Sequence, residues 1–407
     1  MVMIFERLRH DTINIFLLGI ILRLVIIPFT FNWDLSANTK VASSFSFSSI
    51  REFYREPLAA YPPLMYTLLK SFLTFSSPLL NQYFNSWMHM GDISGSASPY
   101  IYRILSVVKL PYIILELLSA FIFSKFFTGQ KARDALLLWM VNPIMLFLVA
   151  GWTNVDVIPL FALLLFLLFK MRGKDYLSSF CLGLSVSLKL FPVFLLPFLF
   201  ITINSWKKRI LAALFILLPV ITTHLPILTT PQYFSHAITG GYSRKIMFSL
   251  IPIGDNRSLL PFALGYFLLF LYFLNQKKIS HSLMAYSFTA LIPLFAFSSF
   301  NLQWFLWILP FIFYYQLTLP QLRTPFKFLY LSFTSLVLLS QMSLNFGMLS
   351  PIEPTLLTYD WPLKEFIGND NLFLMMNILH TLLTSSLLWI GYGVLKSMEK
   401  EKTNAQI

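Results

Sequence analysis

The chain has 407 residues, 57% of them hydrophobic and only 12% charged, with a mean hydropathy of +0.70. A soluble domain carries about twice that charge, so a soluble globular protein is excluded. The formal charge of +13 does not mark a nucleic-acid binder either, because Lys and Arg fall in short clusters between apolar runs of membrane-spanning length.

In chain order, Arg7 and Arg9 set the N-terminus on the cytoplasmic side by the positive-inside bias. The apolar run 12–31 is too long for a signal-peptide core and lacks a small-residue cleavage site. It reads as a retained span that ends outside at Asp34. A first outer loop covers 32–98. Its apolar part, 61–80, contains Lys70 and is broken by Pro62, Pro63 and Pro78, which predicts an interfacial or re-entrant helix. Spans follow over 103–127, 135–151 and 157–169, with the outer turn Gly151-Trp152-Thr153-Asn154-Val155-Asp156 between the last two. The basic clusters Lys170, Arg172, Lys174 and Lys207, Lys208, Arg209 both belong inside. The 30 residues 176–205 between them must form a hairpin or a broken re-entrant pair, with Lys189 near its apex.

Residues 210–228 cross outward to a second outer loop, 229–257. The run 259–274 returns to Lys277 and Lys278, and 282–298, 305–319 and 328–346 alternate direction. A third outer loop, 347–371, carries Glu353, Asp360 and Glu365, and 372–395 ends inside. The expectation is an all-α integral membrane protein: a single polytopic domain over 1–407, with about twelve transmembrane or re-entrant helices and both termini cytoplasmic. The single cysteine, Cys181, lies in an apolar run, so there is no internal disulfide and no Cys-based metal site.

Function in such a chain is expected where polar groups break the pattern. Asp34, where a span meets water, suits a general base for an acceptor hydroxyl; the alternative is a helix-flanking or capping carboxylate. Arg244, Lys245, Arg257 and His236 form a basic outer loop that opposes the positive-inside bias, so they meet either a lipid-phosphate leaving group or anionic headgroups. Lys189 inside an apolar run calls for a cavity or a phosphate, or snorkels to the interface. Asn154 and Asp156 contact substrate, or Asp156 caps the next helix. Gln303 and Trp304 suit sugar binding, or belong to the interfacial aromatic belt. No phosphate-binding glycine loop, HExxH or nucleophile elbow is present, and the six His show no metal-ligand spacing. A charged substrate is therefore expected to be lipid-borne.

Taken together, these blocks resemble the GT-C superfamily of polytopic glycosyltransferases, nearest to the catalytic subunits of GPI mannosyltransferase I and their prokaryotic relatives. Tyr61-Pro62-Pro63-Leu64 is similar to the family's Tyr-x-Pro-Leu element. Asn142-Pro143 and Asn154-Val155-Asp156 resemble its Leu-Asn-Pro and Gly-Asn-x-Asp blocks. Gly183 through Lys189 and Pro192 looks like its Gly-x-x-x-x-x-Lys-x-x-Pro segment. Residues 233–257 resemble its basic loop, and Gln303-Trp304-Phe305-Leu306-Trp307 its Gln-Tyr-Phe-Leu-Trp run. The resemblance covers roughly residues 23–310.

It implies transfer of a hexose, mannose first, from a polyprenyl-phosphate-linked donor to the hydroxyl of a glycolipid or glycan, with inversion, on the outer or lumenal face. On that view Asp34 is the base, Lys189, Arg244 and Lys245 neutralise the lipid phosphate, and Tyr61 helps shape the acceptor side. The family often pairs two acidic residues in the first loop. Here only Asp34 is present in Asn32-Trp33-Asp34-Leu35-Ser36, so a divalent metal held by two carboxylates has little support. Expected partners are the donor, the acceptor, membrane lipids and a small membrane subunit, with no nucleic acid. The expected location is a prokaryotic plasma membrane, or the endoplasmic reticulum in a eukaryote. The rival class is a lipid-sugar transporter or flippase, which predicts matched repeat halves; no second copy of the Lys189 break is visible.

Overall fold

The computed structural model describes residues 11–80, 82–89, 97–240, 244–245, 249–276, 282–340, 345–358 and 366–404. The orienting charges Arg7, Arg9, Lys277 and Lys278 and the third-loop carboxylates Asp360 and Glu365 lie outside the described residues. Four helical stretches are long and apolar enough to cross a membrane: Thr12–Phe29, Ile101–Ser124, Trp206–Ile227 and Asn369–Lys400. A bent pair, Gly129–Val141 and Pro143–Gly151, adds a fifth, with 46° between its halves. Shorter apolar helices cover Val157–Met171, Phe191–Thr202, Pro261–Leu274 and Leu283–Phe297. Chain composition and these helices together make this an all-α membrane protein. The count of about twelve from sequence includes runs that the structure builds as short or broken helices.

The chain divides into two units, Met1–Phe161 with Thr334–Asn377, and Ala162–Phe333 with Ile378–Ile407. In the first, α1 (Thr12–Ile26) starts where the Asp11 carboxylate accepts from the Ile13 and Asn14 amides. After one tight turn, Ile27–Phe29, and a short extended stretch, α2 (Trp33–Ser44) begins. Pro62 and Pro63 open α3 (Pro63–Ser76), where a missing N–H is no loss. At 14 residues, α3 is about 21 Å long, short of the roughly 30 Å hydrocarbon core. Beside it, Phe45, Phe53 and Tyr66 pack with ring centroids 4.9–6.0 Å apart.

The long helix α4 (Ile101–Ser124) and α5 (Gly129–Val141) complete this unit's core with α1. Arg23 of α1 forks onto Glu116 of α4 through Nε and Nη2, both at 2.6 Å, and its Nη1 donates to the Gly19 and Met140 carbonyls. Trp139 Nε1 donates to the same carboxylate at 2.6 Å. Four of the five guanidinium N–H groups are thus bonded and both carboxylate oxygens accept, as a charge pair in an apolar interior requires. Gly19 is needed for the approach, since a Cβ there would lie 2.3 Å from the Met140 methyl. Asn142 then breaks the chain, its Oδ1 capping the Ile144 and Met145 amides, with Pro143 at the first helical position. A π-helical turn, Leu146–Gly151, follows, and beyond it α6 (Val157–Met171).

In the second unit, α7 (Asp175–Leu188) lies against α8 (Trp206–His224). Gly183 permits the contact: a Cβ would sit 2.3 Å from the Ile216 carbonyl oxygen and 2.8 Å from Pro219. Extended backbone at Lys189 ends α7, and Pro192 starts the next short helix, Phe191–Leu195. The 229–257 loop contains an antiparallel hairpin, β1 (Ile251–Gly254) and β2 (Arg257–Leu259), turned by Asp255 and Asn256 at φ of 48° and 60°.

Candidate functional site

Asp34 lies in the first turn of α2, but it is not the cap. Asn32 is: its Oδ1 accepts from the Asp34 amide at 2.9 Å. The Asp34 carboxylate instead accepts from Trp152 Nε1, with Oδ2 at 3.0 Å. Asp34 is thus a first-turn carboxylate bonded to Trp152, and the contact joins the first outer loop to the 151–156 turn. The carboxylate is half-buried, so it is oriented by the indole while remaining partly open.

A buried lysine brings these two segments together. Lys109 of α4 is fully buried, and its Nζ donates to Thr30 O at 2.5 Å, Thr30 Oγ1 at 2.8 Å, and the Ala150 and Gly151 carbonyls at 3.2 Å each. Ala150 and Gly151 end the π-helical turn, and Thr30 follows the last turn of the first span, so the ammonium sits among helix-end carbonyls that lack intrahelical donors. Two residues beyond Thr30 comes Asn32, and immediately after Gly151 comes Trp152. Sequence reading passes over Lys109, Arg23 and Glu116; the signal available is an ionisable residue inside a span.

In the turn itself, Thr153 has φ of 63°, an outlier for a β-branched residue. Asn154 Oδ1 accepts from the Asp156 amide at 3.0 Å, and its Nδ2 donates to Asp156 Oδ2 at 3.2 Å. Asp156 is fully buried directly before α6, and its carbonyl accepts from the Leu160 amide. Tyr61 belongs to the aromatic core of the first loop: its carbonyl accepts from Tyr54 Oη at 2.8 Å, and its ring lies 6.0 Å from that of Tyr66.

The second unit assembles other candidates around an aromatic stack. Phe191 and Trp307 stack with centroids 4.0 Å apart and planes within 4°, and Trp307 stacks on Trp304 at 4.9 Å and 14°. Lys189 Nζ stands over Trp307 at 5.0 Å, and Lys245 Nζ over Trp304 at 6.0 Å, with Lys245 also donating to Asn301 Oδ1. Burial pushes the Lys245 ammonium below its usual pKa. Gln303 is the immediate neighbour of Trp304 and half-buried. Arg244 and Arg257 are exposed, Arg257 on β2. His236 is half-buried, with Nδ1 unpartnered among the described residues. Lys189, Lys245 and Trp304 are thus brought together, whereas no hydrogen bond or ring contact ties Arg244, Arg257 or His236 to them among the described residues. Trp307 and Phe191 complete the stack from motifs quoted for other residues. No group of three or more His, Cys, Asp or Glu placed to hold a metal occurs among the described residues.

The first unit thus holds a half-buried carboxylate on an indole, and the second holds two lysines on aromatic faces. Residues 60–298, more than half of the chain, match the family model of glycosyltransferase family 87, and the chain belongs to that family. It is therefore a membrane glycosyltransferase. It is also 26% identical over 181 residues to GPI mannosyltransferase 1 of Kluyveromyces lactis, a match covering 43% of this chain and 39% of that protein. The chain thus matches less than half the length of that relative. The resemblance to polytopic glycosyltransferases related to the GPI mannosyltransferases is borne out by both matches.

Proposed function

We propose that the protein transfers a hexose, mannose in the first instance, from a polyprenyl-phosphate-linked donor to a hydroxyl of a glycolipid or glycan, inverting the anomeric centre, on the outer or lumenal face. The observation that carries this is Asp34, held by Trp152 rather than spent as a helix cap. A carboxylate within hydrogen-bond reach of an acceptor hydroxyl takes its proton as the oxygen attacks, and inversion needs only this one base.

In the second unit, Lys189 and Lys245 offer fixed positive charge for the phosphate on which negative charge develops as the sugar leaves. Arg244 and Arg257 add to the basic character of the same loop. The mannose assignment draws on the name of the Kluyveromyces lactis relative. Family membership favours the enzyme over the lipid-sugar transporter.

The test uses purified protein in nanodiscs with radiolabelled polyprenyl-phosphate mannose and polyprenyl-phosphate glucose, and a panel of glycolipid acceptors. Transfer from the mannosyl donor supports the reading. Label that only exchanges between leaflets of proteoliposomes would replace it with a flippase.

A further inference from the structure

Four segments of the first unit meet around the start of α2. The Phe31 amide donates to the Met348 carbonyl at 2.8 Å. The Phe31 ring stands edge-on to Trp87 at 6.2 Å. Gly151 lies so close to Met348 that a Cβ would be 3.2 Å from its methyl, and the next residue, Trp152, holds Asp34. Tyr102 Oη fastens the same third loop by donating to the Pro351 carbonyl at 3.0 Å.

Each of the three segments that join the Asp34 region here contributes a buried polar atom with no partner among the described residues. These are Trp87 Nε1, Thr153 Oγ1 and Ser350 Oγ, on residues 0%, 1% and 0% exposed. Native interiors leave few such atoms unpaired, and each one calls for a water, an ion or a ligand. Two neighbouring backbone groups are already paired: Met348 O takes the Phe31 amide, and the Ser350 amide donates to Gly347 O. The indole can only donate, while the two hydroxyls donate and accept. An uncharged set of this kind matches sugar or polyol hydroxyls, which also do both, and offers no cation for a phosphate.

We infer that Trp87, Thr153 and Ser350 line a subsite that binds hydroxyl groups of the acceptor beside Asp34. This rests on the reading of Asp34 as the base, because the hydroxyl it deprotonates must lie within its reach. The lining holds the neighbouring hydroxyls and so selects a polyhydroxylated acceptor over a simple lipid alcohol.

The test is saturation-transfer NMR on the full-length protein in nanodiscs, with methyl α-mannoside, methyl β-glucoside and myo-inositol as probes. Wild type should bind at least one of them. Ser350→Ala with Thr153→Val should weaken that binding about tenfold, the weight of one or two hydrogen bonds. Ser350→Ala alone, which removes an unpartnered atom and leaves the fold intact, should weaken it severalfold. Asp34→Asn, run in parallel, should keep glycoside binding while losing transfer. Binding unchanged in the double variant, or no binding of any probe by wild type, overturns the subsite. Normal transfer by Asp34→Asn overturns the base instead, so the two failures are distinct.

Discussion

Lys109 in the first unit and Lys189 in the second are both lysines set in apolar sequence, yet they are held in opposite ways. Lys109 is sealed from solvent, its three N–H shared among four neutral oxygens on two helix ends. Lys189 is half-buried at a helix break, with its ammonium over the face of Trp307. A cation on a ring face is worth about 0.5–2 kcal/mol. A lysine whose three donors are all taken by buried oxygens is part of the fold. The first unit thus fixes geometry around a carboxylate, and the second presents charge.

The sharpest way to break this contrast is Lys109→Met. It keeps the stem and strands the Thr30 and Gly151 carbonyls at about 1–3 kcal/mol each. Folded yield should collapse, read by size-exclusion chromatography in detergent; a monodisperse variant melting like wild type would remove the distinction. Next is Glu116→Gln, which leaves Arg23 buried beside a neutral partner and should cost about 3–5 kcal/mol, read as a large drop in Tm. The double change Arg23→Leu with Glu116→Leu should recover part of that loss, because both charges leave together.

Lys189→Met sharpens the comparison from the other side. The fold should persist while the donor KM rises roughly tenfold, on the weight of one charge-assisted contact to phosphate. The smallest effect concerns pH. Burial lowers the Lys245 pKa, and phosphate binding needs the ammonium. Donor affinity should therefore fall as pH rises through that lowered value, earlier than for a free lysine at about 10.4. Lys245→Arg stays protonated and should move the fall to higher pH.

Much of this was legible in the chain. Asp34, the 151–156 turn and the Lys189 break stand out as polar residues against apolar runs, and Asn142-Pro143 reads locally as a cap and helix start. What joins them is not local. Trp152 reaches Asp34 across 118 residues, and no spacing rule carries that distance. Lys109 and Glu116 hide inside an otherwise ordinary span, where hydropathy averages over them. The stack of Phe191, Trp304 and Trp307 draws on two motifs far apart in sequence. The β1–β2 hairpin is written in Gly254-Asp255-Asn256, a turn signal that a reading of the loop for its charge alone passes over.

The central claim is that Asn32 caps and Asp34 reacts. It is tested most directly by measuring transfer from polyprenyl-phosphate mannose with Asn32→Ala and Asp34→Asn side by side in nanodiscs, each with its Tm. Asn32→Ala should lose about 1 kcal/mol of stability and keep most turnover. Asp34→Asn should melt like wild type, still bind donor, and lose turnover by about a hundredfold or more. Wild-type turnover by Asp34→Asn would contradict the account.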